Sequence, residues 1–83
     1  MSIEKTLKQR QKTHGYFVGH ARISQELKSV LRNHGVNDLA VDQIEALEMI
    51  AHKIARVLNG DPNIHDHWHD IAGYATLVAE RLK

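Results

Sequence analysis

Apolar residues recur along most of this chain at helical spacing, and nowhere do they alternate as along a half-buried strand. Between Val18 and His34, the residues Ile23, Leu27, Val30 and Leu31 return at i, i+4, i+7 and i+8, one face of a helix. Gly35 follows as a stop signal, and Asn37-Asp38 offers caps for a further helix from about Leu39 to Asn59. On a wheel at ~100° per residue, Ile44, Leu47, Ile50, Ala51, Ile54, Ala55, Val57 and Leu58 cover roughly half its circumference. Gly60-Asp61-Pro62-Asn63 closes that helix, and a last one runs from about His65 to Leu82 with the stripe Ile71, Ala75, Val78 and Leu82, Trp68 beside it. At the other end, residues 2 to about 13 predict a polar helix with only Ile3 and Leu7 on its apolar side. Thr13-His14-Gly15-Tyr16-Phe17 is then a loop whose two adjacent aromatics must find cover. The expected fold is all-α: a small bundle of about four helices, one domain over residues 1–83. Apolar stripes this wide on so short a chain predict completion by a homo-oligomer, with a dimer as the first expectation because two-fold assemblies are commonest.

Composition narrows the chemistry. With 42% hydrophobic and 25% charged residues the chain has globular composition, and no apolar run approaches the roughly 20 residues of a membrane span. The first residues, MSIEKTLKQRQK, lack the apolar core of a secretory signal, so the expected compartment is the cytoplasm. The absence of cysteine excludes a disulfide scaffold, a thiolate zinc site and a cysteine nucleophile. Eleven basic against ten acidic residues leave a net charge of +1, and no helix-turn-helix pattern accompanies the basic first helix or Lys28 and Arg32, so a nucleic-acid partner is not expected. Seven histidines are out of proportion, and three of them fall in His65-Asp66-His67-Trp68-His69-Asp70.

Two pairs of carboxylates stand out. Glu45 and Glu48 are three apart on one helix and Asp66 and Asp70 four apart on the next, so each pair shares one side of its helix. Facing each other, the four would present oxygen ligands suited to Mg²⁺ or Mn²⁺, an ion able to clamp phosphate oxygens and activate water. Lys53 and Arg56 would then meet the phosphates. The competing reading makes Glu45 and Glu48 a solvated flank and Asp66 a complement to the positive start of its helix. His65 and His69 have the i, i+4 spacing of a metal pair, but His67 points about 200° away, and surface or capping histidines fit as well. Tyr16, Phe17, Trp68 and Tyr74 could stack a nucleobase, or Trp68 and Tyr74 could serve as core or interface anchors. Gly73, in mid-helix, costs about 1 kcal/mol relative to alanine and predicts a close helix crossing or a ligand near the backbone.

The segment Ala46-Leu47-Glu48-Met49-Ile50-Ala51-His52-Lys53-Ile54-Ala55-Arg56, then Gly60-Asp61-Pro62 and Asp66-His67-Trp68-His69-Asp70-Ile71-Ala72-Gly73-Tyr74-Ala75, resembles a family of small phage and prophage proteins. Thr13-His14-Gly15-Tyr16-Phe17 belongs to the same resemblance, which so covers most of the chain. More distantly, Glu45-Ala46-Leu47-Glu48 resembles the first metal motif of the all-α nucleoside triphosphate pyrophosphatases, the MazG and dimeric dUTPase group. The second motif departs: Asp66 and Asp70 are four apart where that group has a spacing of three, and the chain is shorter than its members. That resemblance implies Mg²⁺-dependent binding of a nucleotide and its hydrolysis to a monophosphate and pyrophosphate. Glu45, Glu48, Asp66 and Asp70 would then be metal ligands, with Glu45, Glu48 or Asp70 as catalytic carboxylates, while Lys53, Arg56, Trp68 and Tyr74 would bind substrate. The alternative is a non-enzymatic module of phage origin that binds and modulates a host protein.

Overall fold

The computed structural model describes residues 2–83, and among them it is all-helical, with no strand. Four α-helices follow one another: α1 (Ile3–His14), α2 (Phe17–Asn33), α3 (Val41–Asn59) and α4 (His65–Arg81), with one 3-10 turn at Val36–Asp38.

Each boundary has a local cause. At the start of α1 the Ser2 hydroxyl accepts from the Lys5 amide at 3.2 Å, and Glu4 lies in the first turn, where a carboxylate suits the helix dipole. Gly15 ends α1 at φ +76°, a left-handed backbone that glycine adopts without penalty. Gly35 stops α2 in the same way at φ +84°. The expected caps of α3 need correction: Asn37 and Asp38 are consumed by the 3-10 turn, and Ala40 precedes the helix instead. There the Ala40 amide donates to Oε1 of Gln43 at 3.0 Å. Before α4, the Asn63 amide donates to Asp61 Oδ1 at 2.9 Å, and the Trp68 indole donates to the Pro62 carbonyl at 2.8 Å, folding the loop against its own helix.

α3 is the axis of the molecule. It packs along both α2 and α4, which do not pack on one another, and α1 lies lightly across its C-terminal end. Asp42 and Lys53 are eleven apart on α3, and their partners Arg81 and Asp70 are eleven apart on α4, so the two helices run antiparallel in constant register. The fully buried apolar residues are small or few: Val36, Ala46, Ala51 and Ala55. α1 buries nothing completely. Cover for the adjacent aromatics is not found either, since Tyr16 and Phe17 remain 70% and 80% exposed. No helix among the described residues is long and apolar enough to cross a membrane.

Candidate functional site

The end of α3 is held to the α1–α2 turn by one side chain. Asn59 Nδ2 donates to the carbonyls of His14 at 2.9 Å and Tyr16 at 2.7 Å. A Cβ at Gly15, Gly19 or Gly60 would collide with Asn59 or with the Thr13–His14 backbone, which explains three of the five glycines by close approach. The Thr13 carbonyl accepts twice, from the Asp61 amide at 3.0 Å and from the ring of His67 at 3.3 Å. A carbonyl cannot donate, so His67 carries its proton on Nε2 in this contact.

This junction gathers four of the seven histidines. His14 and His67 have ring centroids 5.1 Å apart, and His20 and His52 have theirs 5.5 Å apart. Lys53 is buried and extends from α3 to Asp70 of α4, with Nζ 2.9 Å from Oδ2. Hydrogen bonding from Lys53 holds the Asp70 carboxyl below its ordinary range. Arg56, one turn beyond His52, adds a second half-buried cation. For His14, His20 and His52 burial comes first in favouring the neutral imidazole, and the neighbouring cations add to it. His14 is lowered from 6.5 to about 4 by burial and then by Arg56, His67, Arg10 and Lys53. His20 and His52 are lowered by burial and then mainly by each other's surroundings: His52 and Arg56 act on His20, and Lys28 and Arg56 on His52.

Beside these groups lies a cavity of about 330 Å³ between α1, the start of α2 and the end of α3. Arg10, Gln11, His14, His20 and Arg56 supply its polar side chains, and Leu7 and Phe17 its large apolar ones. His20 is 8% exposed and its Nδ1 has no hydrogen-bond partner; one turn on, the buried Ser24 hydroxyl lacks one too. Unpaired buried polar atoms are costly and call for a partner. The lining so combines two guanidiniums and two imidazoles with the apolar surfaces of Leu7 and Phe17.

The residues expected at the site fall in different places. Arg56 lines the cavity, but Lys53 is committed to Asp70. Glu45 is exposed, Glu48 half-buried beside the α2–α3 seam, and Asp66 fully at the surface next to its neighbour His65. Among the described residues no three His, Asp or Glu side chains converge as metal ligands, so within one chain Glu45, Glu48, Asp66 and Asp70 are not brought together around an ion. Trp68 is occupied by Pro62, and Tyr74 is half-buried on α4; neither lines the cavity. His65 and His69 stack at 5.5 Å in solvent, whereas His67, turned away from them, is 2% exposed. Gly73 has open space around it, with no close crossing within the chain.

Sequence reasoning missed Arg10, His14 and His20, while Phe17 is one of the four aromatics it weighed for stacking a nucleobase. The available signals were the excess of histidine and the shared edge of His52 and Arg56 on α3, which together mark the polar face of that helix.

Residues 2–82 match a family described as a domain of unknown function, DUF6378. The chain belongs to that family. No curated protein and no solved structure matches it.

Proposed function

We propose that this DUF6378 chain binds a nucleotide, or a similar phosphate-bearing molecule with a planar ring, in the cavity between α1, α2 and α3. The observation that carries the reading is the pairing of Arg56 with Arg10 around His14 and His20 in a cavity of about 330 Å³, a size within the range of small-ligand sites. Arg56 has no anionic partner among the described residues, although it is half-buried. An incoming phosphate supplies that partner, and guanidinium–phosphate pairing is among the stronger charge-assisted hydrogen bonds. The exposed ring of Phe17 gives a base a face to stack on, worth about 1–3 kcal/mol.

On this reading binding runs through cations of the chain, not through Mg²⁺. A Mg²⁺-dependent pyrophosphohydrolase of the MazG type would need Glu45 and Glu48 to be completed by carboxylates from outside their own helix, and Asp70 is engaged by Lys53. The role as a host-protein modulator has no separate feature in its favour here.

The test is a thermal-shift series with nucleoside triphosphates, nucleosides and tripolyphosphate, each with EDTA and with Mg²⁺. A ligand that binds the native state raises the melting temperature. The expected order is nucleotide above tripolyphosphate above nucleoside, unchanged by EDTA, and Phe17→Ala removes the advantage of the nucleotide over tripolyphosphate. Stabilisation only with Mg²⁺, lost in Glu48→Ala, would instead establish the metal reading. Silence throughout would turn the search to a protein partner.

A further inference from the structure

α2, α3 and α4 form one layer, and a layer has two sides. α3 lies between α2 and α4, which do not meet. One side carries α1, the Lys53–Asp70 pair and the cavity. At ~100° per residue, Ile54 and Leu58 turn about 100° and 140° away from Lys53, and Ile71 and Leu82 about 100° and 120° away from Asp70. With the two helices antiparallel, those rotations bring all four residues to the opposite side. Ile23 and Val30 continue the same face onto α2. Along α3 and α4 no Asp, Glu, Lys or Arg interrupts it, and on α2 the exposed Glu26, three after Ile23 and four before Val30, lies at its outer edge. Leu58, Val30 and Leu82 are 67%, 56% and 60% exposed, and Leu47 and Trp68 border the same side at 36% and 55%.

Stable domains are built from at least two packed layers. Here only one side of the layer is partly covered, by α1, and the shortfall can be measured. Its accessible surface is 6105 Å², whereas a compact monomer of its mass exposes about 5,000 Å². The excess, roughly 1,100 Å², is close to and above the ~800 Å² that each partner contributes to a standard stable interface. The radius of gyration agrees: 14.2 Å against about 12 Å for a compact chain of this length. A net charge of +1 sets up little repulsion between copies.

We propose that the face formed by Ile23, Val30, Ile54, Leu58, Ile71 and Leu82 is covered by the same face of a second copy, so that two single layers become one two-layer homodimer. The ligand cavity lies on the far side of each layer and stays open in the dimer. The inference is independent of the nucleotide reading, since it uses none of the same residues.

The experiment is sedimentation equilibrium of the full chain across micromolar to hundred-micromolar concentration, with melting curves over the same range. The expected mass is twice 9.4 kDa, and the melting temperature rises with concentration because association favours the folded state. Leu58→Glu, at a position exposed in the single chain, should shift the mass towards the monomer by weakening association at least tenfold. Leu77→Glu, 70% exposed on the other flank of α4, should leave the mass unchanged. A folded wild-type monomer with a concentration-independent melting temperature would overturn the proposal and leave the face for a different protein. So would a dimer that survives both Leu58→Glu and Ile54→Glu.

Discussion

The Lys53 ammonium, on a residue only 8% exposed, lies 2.9 Å from the Asp70 carboxylate, which keeps part of its own surface in water. The two partners are therefore not equivalent. Removing Asp70 strands a buried cation, whereas removing Lys53 leaves a carboxylate that solvent can still reach. Asp70→Ala should lower the melting temperature clearly more than Lys53→Met. The double variant should recover most of the loss. Equal losses from the two single changes would contradict this asymmetry.

Asn59 makes the second long-range tie. Its amide satisfies the carbonyls of His14 and Tyr16, and its surroundings leave no space at Gly19. In a helix, Gly→Ala ordinarily gains up to about 1 kcal/mol, but overpacking costs about 1–3 kcal/mol. At Gly19 the second effect wins, because Asn59 cannot give way without losing its bonds. Gly19→Ala should therefore destabilise the fold by about 1–2 kcal/mol, read by urea denaturation. Gly73→Ala, with nothing near the added methyl, should stabilise it by about 1 kcal/mol. The opposite order of the two variants would refute the packing described around Asn59.

Acid should weaken this protein well before its carboxylates titrate. His14, His20 and His52 have lowered values in the folded state, so the unfolded chain binds more protons as the pH falls below about 6.5. Stability is therefore full above that pH and is lost progressively as it falls, the His14 contribution levelling off near pH 4. Allowing for solvent screening, His14 alone is worth on the order of 2 kcal/mol over this window. Denaturant midpoints at pH 7.5, 6, 5 and 4.5 measure the slope. His14→Gln should flatten it, and a slope unchanged in that variant would count against the assignment.

How much of this was legible beforehand varies by level. The repeat of Ile23, Leu27, Val30 and Leu31 and the glycines at 15, 35 and 60 locate the helices closely, because periodicity and stop signals are local properties. The position of Ala40 ahead of α3 was not legible, since Asn37 and Asp38 are equally good caps until the 3-10 turn takes them. The site was harder to read. Glu45, Glu48, Asp66 and Asp70 have spacings that bring each pair to one side of its own helix, yet spacing on a helix says nothing of how two helices are rotated against each other. The antiparallel register of α3 and α4 gives Asp70 to Lys53. Burial of His67 likewise depends on the Thr13 carbonyl, 54 positions away. The cavity itself joins residues from three helices; Arg56 is marked by its helix edge and Phe17 by its ring, while Arg10, His14 and His20 carry no local signal of it.

In the proposed site, cations of the chain bind a phosphate-bearing ligand between α1, α2 and α3. Isothermal titration of a nucleoside triphosphate into the protein in EDTA tests it most directly, with Arg56→Gln as the paired sample. The expected result is saturable binding at one site per chain, weakened about tenfold or more in Arg56→Gln through loss of a charge-assisted contact, and weakened further by added salt. Absence of saturable binding in EDTA would contradict it, as would binding that Arg56→Gln leaves intact.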